Sequence, residues 1–206
     1  MRALAVVVLV LAWGATAARA QGFDYFVLAI SWTPAWCERD GDARDAPTCA
    51  PGAGVGWGVH GLWPQHDDGT WPEFCATPER NPSRAQTAEQ ADLFGSGGSA
   101  WHQWNKHGRC SGLSAAAYYA LTRDAAGALD LPPLEAPGRL APGALRAAIL
   151  DRNPDFAAGS VVITCSSGML GEVRVCLAPD LLPRACDAGL AARGCRAASI
   201  RIPAPR

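Results

Sequence analysis

The sequence predicts an α+β domain with a mainly antiparallel central sheet flanked by helices. Segments rich in apolar, β-branched and aromatic residues, which favour strands, lie towards both ends of the chain. Strands and helices therefore do not alternate as the regular βαβ units that would build a parallel sheet. The predicted strands span residues 23–32, 57–63, 161–165, 172–177 and 199–202.

The first two strands are the most informative. Residues 23–32 (FDYFVLAISW) are apolar on both faces, which predicts a buried central strand. Residues 57–63 (WGVHGLW) fit a strand in which strict alternation places Val59, Gly61 and Trp63 on one face. Gly58, His60 and Leu62 would share the other face, so His60 is expected to project from the sheet.

Helices are predicted between these two groups of strands. Residues 76–99 are polar and predict a long surface connection with one short helix near 87–94, and residues 127–143 predict a loop punctuated by Pro and Gly. The three main helices are predicted at 101–107, 114–125 and 144–152.

Residues 1–20 are predicted to be a signal peptide. A basic start, an apolar run at 3–13 and the small residues around Ala18-Arg19-Ala20 form this pattern. The run is too short to span a bilayer, so no membrane anchor is expected. Residues 21–206 would then form a single catalytic domain that is secreted or periplasmic, and we expect a monomer.

Charge and cysteine content limit the function further. Removal of the signal peptide, which contains Arg2 and Arg19, would take the formal net charge from −1 to −3. A negative net charge does not suit a general binder of polyanions. Any nucleic-acid site must therefore be local. Eight cysteines, all after the leader, predict four disulfides in an oxidising compartment.

The titratable residues that suit catalysis are concentrated in one part of the chain. All four histidines, His60, His66, His102 and His107, lie between positions 60 and 107, and Lys106 is the only lysine. If 101–107 is helical, His102, Gln103, Lys106 and His107 share one face while Trp101 and Trp104 pack beneath it. Two imidazoles from separate elements can act as general acid and base, and an ammonium can stabilise a phosphoryl transition state.

Four segments resemble the ribonuclease T2 family. WGVHGLWPQHDDGTWP and WHQWNKHGRC are similar to the two active-site segments of that family. FDYFVLAISWTPAWC resembles its N-terminal strand, and ITCSSGMLGEVRVCL resembles its C-terminal hairpin. The resemblance covers nearly all of the chain after the leader and implies a ribonuclease T2-like fold and cleavage of single-stranded RNA.

The resemblance also implies roles for individual residues. His107 would take the proton of the 2′-hydroxyl and His60 would protonate the leaving 5′-oxygen, which yields a 2′,3′-cyclic phosphate without a metal or other cofactor. Lys106 and Gln103 would stabilise the phosphorane, and His102 would hold the phosphate. Trp63 and Trp71 would stack on bases, which tolerates any base identity. The implied disulfides are Cys37–Cys49, Cys75–Cys110, Cys165–Cys195 and Cys176–Cys186.

Two positions depart from the family pattern. Gln65 stands where many relatives have Asp. Gln65 is therefore a base-binding candidate for which the resemblance implies no preferred base. Gln103 stands where the family usually has Glu. Loss of that carboxylate should disfavour the protonated forms of the histidines, although an amide can still donate a hydrogen bond to a phosphoryl oxygen.

Two other functions remain open at this stage. A zinc site is disfavoured because His102 and His107 are five residues apart rather than four and no Cys-x-x-Cys pair occurs. A catalytically impaired relative that binds RNA or acts as an inhibitor is made plausible by Gln103. His66 is interpreted as a surface residue, and Arg109 is assigned no role.

Overall fold

A computed structural model describes residues 22–206, so the predicted signal peptide lies outside the described residues. The strands are β1 (Tyr25–Trp32), β2 (Trp57–Gln65), β3 (Gly138–Leu140), β4 (Val161–Ser166), β5 (Met169–Leu177) and β6 (Ile200–Ile202). The helices are α1 (Thr33–Trp36), α2 (Arg84–Ala88), α3 (Ala91–Phe94), α4 (Gly97–Lys106), α5 (Ala115–Gly127), α6 (Pro142–Arg152) and α7 (Ala188–Ala192). None of these helices is long and apolar enough to cross a membrane.

The strands form one mainly antiparallel sheet. β1 lies between β2 and β5 and is antiparallel to both, and β4 pairs with the opposite edge of β5. β6 joins the beginning of β5 in a parallel pairing at Met169, and β3 pairs with β6. The predicted α+β class and the central position of the first strand are therefore confirmed.

Most predicted elements are present, but several short ones were missed. The prediction placed one helix in the polar connection, whereas α2 and α3 are two separate short helices. β3 lies inside the predicted loop 127–143, and α1 and α7 were not predicted. Elements of three to five residues are too short to show a hydrophobic period, so tertiary contacts decide whether they form.

The two faces of β1 bury side chains in different cores. Phe26, Leu28, Ile30 and Trp32 face the main core, into which α4, α5 and α6 also pack. Tyr25 and Val27 face a smaller core on the opposite side of the sheet, closed by Val162, Cys176 and Leu190. Because both faces are covered, β1 has the continuous apolar sequence of a buried strand.

A β-bulge at His60 corrects the predicted alternation in β2. Ala29 pairs with Gly61 and Ile30 pairs with Val59, so His60 is the extra residue on β2. Leu62 points into the main core, whereas the His60 ring makes an edge contact with Trp63 at 5.0 Å between centroids. His60 therefore lies beside Trp63 and not on the face of Leu62. The extra residue shifts the alternation of side chains by one position at this point of the strand.

All eight cysteines form disulfides in the pairing that the family resemblance implies. The bonds are Cys37–Cys49, Cys75–Cys110, Cys165–Cys195 and Cys176–Cys186. The second bond is important for the site, because it joins the loop after β2 to the turn after α4. Four disulfides fit an oxidising compartment.

Candidate active site

The segment from α4 to Gly108 presents a polar face because its other side is anchored in the core. Trp104 is completely buried and donates its indole N–H to Asn81 Oδ1 at 3.2 Å. A Cβ at Gly108 would collide with Trp104 and Tyr118, so the chain after the helix passes close to both rings. Trp104 thus packs as predicted, but Trp101 is 39% exposed, so its predicted packing role is wrong.

One cavity of about 220 Å³ brings all the predicted substrate-contacting residues together. It lies where the end of α4 and the turn after it approach the bulged part of β2. Arg174, Arg193, Val27 and Leu190 also line it. The sequence-predicted residues in its wall are His60, Trp63, Gln65, Trp71, His102, Gln103, Lys106 and His107.

Trp63 connects the two histidine segments. Its ring stacks on His107 with centroids 5.3 Å apart and an interplanar angle of 29°, and its edge meets His60. Its indole N–H donates to Gln103 Oε1 at 3.0 Å. A Cβ at Gly61 would collide with both the indole nitrogen and Gln103 Oε1. The missing side chain at Gly61 therefore makes room for this hydrogen bond.

The same hydrogen bond orients the Gln103 amide. Gln103 is almost fully buried. An indole N–H can only donate, so it selects the carbonyl oxygen of Gln103 and leaves the amide NH₂ as the donor of this side chain. A glutamate here could accept the same indole proton but could not present a neutral NH₂ group.

His60 has a carboxylate partner that the sequence analysis did not identify. Its Nδ1 lies 2.5 Å from Glu172 Oε1 on β5. Ser31 also donates to Oε1 at 3.3 Å, and the Arg174 guanidinium binds Oε2 at 2.8 Å. Because a carboxylate only accepts, Nδ1 of His60 carries the shared proton and Nε2 is the nitrogen left for a substrate.

Glu172 is held in its ionised form. Burial alone would raise the pKa of Glu172, but the hydrogen bond and charge of His60 and the charge of Arg174 lower this pKa to about 2. The carboxyl side chain is only 13% exposed, whereas the imidazole of His60 is 48% exposed. Glu172 can therefore support a positive charge on His60 while the ring stays accessible to a ligand.

His107 lies in the opposite kind of environment. It is 7% exposed, and its buried Nδ1 has no hydrogen-bond partner among the described residues. Burial is the main cause that lowers the pKa of His107 to about 3, and the charges of Lys106, His60 and His102 act in the same direction. His107 is therefore neutral near pH 7 and can accept a proton.

Lys106 and His102 lie at the rim of the cavity. The Lys106 ammonium is 3.4 Å from Glu73 Oε2 in a partly exposed ion pair. Such an exposed ion pair contributes only about 0–1 kcal/mol to the stability of the fold. An anionic ligand can therefore compete with Glu73 for the ammonium. His102 is exposed on the same helical face.

The predicted base-binding residues differ in accessibility. Trp71 is 41% exposed, and the Arg193 guanidinium lies over its ring at 4.9 Å. Trp63 is half-buried, and Arg174 lies over its ring at 5.3 Å. Gln65 is buried and donates to the carbonyl of Pro64 at 2.9 Å.

Three charged residues at the site were missed in the sequence: Arg174 and Arg193, which line the cavity, and Glu172, which contacts His60. Glu172 and Arg174 occupy alternate positions of an otherwise apolar strand, and this pattern was the available signal. Arg193 follows the short helix α7 and carried no such signal. His66 lies near Asp24 at 3.7 Å and outside the cavity wall, in agreement with its interpretation as a surface residue.

The donor set does not resemble a metal site. Within residues 22–206, no three His, Cys, Asp or Glu side chains form a group that could hold a metal ion. Every cysteine is part of a disulfide, so none can serve as a thiolate ligand. The groups that converge on the cavity are instead three imidazoles, an ammonium, two amides and two guanidinium groups.

Comparison with known sequences identifies one family. The profile of the Ribonuclease T2 family matches residues 23–186. A ribonuclease of Aeromonas hydrophila is 37% identical over 116 residues, which are 54% of this chain and 51% of the relative. The intracellular ribonuclease LX of Solanum lycopersicum is 32% identical over 50% of this chain and 48% of its own length. The chain thus spans about half the length of these curated relatives.

Solved structures agree with this fold. An RNase-related protein from Calystegia sepium has a TM-score of 0.68 at 20% identity and covers 88% of this chain and 97% of its own. RNase NT, solved in complex with 5′-AMP, has a TM-score of 0.61 at 19% identity and covers 90% of this chain and 99% of its own. At these identities the similarity establishes the fold alone.

The depressed pKa of His107 predicts a specific titration. The unfolded chain binds a proton at this histidine below about pH 6.5, whereas the folded protein does so only near pH 3. The His107 ring should therefore remain neutral by NMR down to about pH 4, and the free energy of unfolding should fall as the pH drops through this window. A His107→Gln variant should lose that part of the pH dependence. An NMR midpoint near 6.5 would contradict the buried environment.

Proposed function

Because the chain belongs to the ribonuclease T2 family, we propose that it is an endoribonuclease that cleaves single-stranded RNA without a metal ion and with little base specificity. The observation that carries the proposal is the opposed environment of two histidines in one cavity. His107 is buried and neutral, and His60 is accessible and paired with an ionised carboxylate. Environments that differ in this way suit one base and one acid.

The proposed reaction is an internal phosphoryl transfer. Nε2 of His107 takes the proton of the 2′-hydroxyl, and the 2′-oxygen then bonds to phosphorus. The bond from phosphorus to the 5′-oxygen breaks, and Nε2 of His60 gives its proton to that oxygen. The product is a 2′,3′-cyclic phosphate. Water opens the ring in a slower step in which the two histidines exchange roles.

The remaining residues would stabilise the crowded phosphorane and hold the substrate. Lys106 supplies a positive charge and Gln103 supplies amide N–H donors where the phosphoryl oxygens gain negative charge. His102 binds the phosphate at the rim. Trp63 and Trp71 stack on bases with Gln65 beside them, and stacking on indole tolerates every base.

Export is part of the same proposal. The predicted signal peptide at 1–20 and the four disulfides support a secreted or periplasmic enzyme. Residues 21–206 are proposed to be its single catalytic domain, acting as a monomer.

A second candidate function is an impaired relative that binds RNA or acts as an inhibitor. Gln103 favours it, since the family usually has Glu at this position. The hydrogen bond from Trp63 argues for the active enzyme instead, because the amide keeps the acceptor that the indole needs and still offers donors to a phosphate.

A cleavage assay in excess EDTA tests these functions against each other. The protein should convert dinucleoside phosphates to 2′,3′-cyclic products at the same rate with and without EDTA. His60→Ala and His107→Ala should each lower kcat by about 10²–10⁴-fold, the usual contribution of a positioned acid or base. Loss of activity in EDTA would indicate a metal enzyme. Bound but uncleaved RNA would indicate the impaired relative.

The effect of Gln103 is tested by restoring the carboxylate. Gln103→Glu should retain the fold, because a glutamate oxygen can accept the Trp63 indole proton. Its negative charge favours the protonated forms of the nearby histidines, so the acidic limb of the pH dependence of kcat should move to higher pH. If the pH–rate profiles of the variant and the parent coincide, position 103 does not tune this site.

The role of Glu172 is tested with two leaving groups. Glu172→Gln should lower kcat at least about 10-fold on a dinucleoside phosphate, whose alkoxide leaving group needs the proton of His60. The defect should nearly vanish on a nucleoside 3′-(4-nitrophenyl phosphate), because nitrophenolate leaves without protonation. His107→Ala should be impaired on both substrates. Exposed Glu135 provides the matched control, as Glu135→Gln.

Equal losses of Glu172→Gln on the two substrates would show that Glu172 supports only the fold. A near-normal rate on the dinucleoside phosphate would show that the contact between His60 and Glu172 has no part in the reaction.

A further inference from the structure

A second cavity adjoins the candidate active site on the far side of His60. It has a volume of about 470 Å³ and shares His60, Arg174 and Arg193 with the first cavity. Three of the residues in its wall are arginines, Arg39, Arg174 and Arg193, and one is a carboxylate, Glu172. The concentration of positive charge contrasts with the formal net charge of −1 of the whole chain.

The arginines of this cavity retain unused hydrogen-bond donors. Arg39 uses Nε to bind Asp40 at 2.7 Å, and Arg174 uses Nε and Nη2 to bind Glu172. Arg193 lies over the Trp71 ring and has no carboxylate within 4.0 Å among the described residues. Each guanidinium therefore keeps N–H groups for an anion, and such planar donors bind phosphate in a bidentate manner.

The charge of Glu172 is already used within the protein. Its Oε1 contacts His60 and its Oε2 contacts Arg174, with the carboxyl largely buried. The hydroxyl of Ser166 adds a polar group to the wall. An anion in this cavity would thus meet guanidinium donors and the Ser166 hydroxyl, while the one carboxylate in the wall is covered by its own partners.

We propose that this cavity is a subsite for the next phosphate on the 3′ side of the scissile bond in an RNA chain. The inference rests on the proposed function, in which His60 protonates the leaving 5′-oxygen. The 3′ nucleoside begins at that oxygen, so its own 3′-phosphate is held beyond His60, where the arginines lie. The subsite therefore favours an RNA chain that continues past the 3′ nucleoside over an isolated dinucleoside phosphate.

The subsite links substrate length to catalysis through one side chain. Arg174 lies in the walls of both cavities and binds the carboxylate that holds His60. A phosphate bound by Arg174 and Arg39 would neutralise part of the positive charge beside the acid. Binding in the second cavity would therefore act on the side chains that hold the proposed acid in place.

Three substrates test the subsite: a dinucleoside phosphate, the same compound with a 3′-terminal phosphate, and the same compound with a 5′-terminal phosphate. We expect kcat/KM about 10-fold higher with the 3′-phosphate than without it, the effect of one charge-assisted hydrogen bond. The 5′-phosphate should give no such gain. Arg39→Gln should abolish most of the preference for the 3′-phosphate, and Arg193→Gln provides a second variant should the first fail to fold.

The control is Arg84→Gln, because Arg84 is exposed on α2 and lies outside both cavity walls. It should keep the full preference for the 3′-phosphate. Equal kcat/KM for the three substrates, or a gain with the 5′-phosphate instead, would overturn the subsite while leaving the proposed function intact. No cleavage of any of them would overturn both.

Discussion

The contacts of one indole ring hold the candidate active site together. Trp63 stacks on His107, touches His60 with its edge and donates to Gln103, so it fixes the two histidine segments relative to each other. Its position depends on the absence of a side chain at Gly61 and on the bulge that brings His60 to the same face of β2. Proton transfer needs heavy atoms within about 3 Å of one another or of a substrate, so this connection controls whether the two imidazoles can act on one phosphate.

The two histidines that Trp63 connects differ in their exposure to water. His107 belongs to the segment packed against the main core, and burial removes the water that would stabilise its charge. His60 projects from a strand edge, where Glu172 and Arg174 on β5 supply a charged partner. A difference in burial thus separates the two imidazoles into a neutral group and a group beside a negative charge, although their side chains are chemically identical.

The charge distribution reconciles a formally acidic chain with the proposed polyanionic substrate. A formally negative chain cannot attract RNA with its whole surface. Arg174 and Arg193 lie over the two indoles proposed for base stacking, and together with Arg39 they extend the positive charge past His60. The guanidinium groups are therefore close to both bases and phosphates. Unpaired positive charge concentrated along this cleft would favour entry of the proposed single-stranded substrate without broad, nonspecific adsorption.

Much of the fold and most of the site could be predicted from the sequence alone. Hydrophobic patterning identified the central strand and the three longer helices, because periods of two and 3.6 residues are visible in segments of this length. The clustering of the histidines around the only lysine identified His60, Lys106 and His107, since these residue types match the chemistry of phosphoryl transfer. The family resemblance supplied the disulfide pairing that the structure contains.

Tertiary structure alone decided the rest, for one physical reason. The bulge at His60, the Glu172 carboxylate 112 positions away in the chain and the arginine cavity all depend on contacts between residues distant in sequence. Local patterns carry no information about which distant side chain comes to lie beside a histidine. That neighbour, together with the depth of burial, sets the different environments of the two imidazoles.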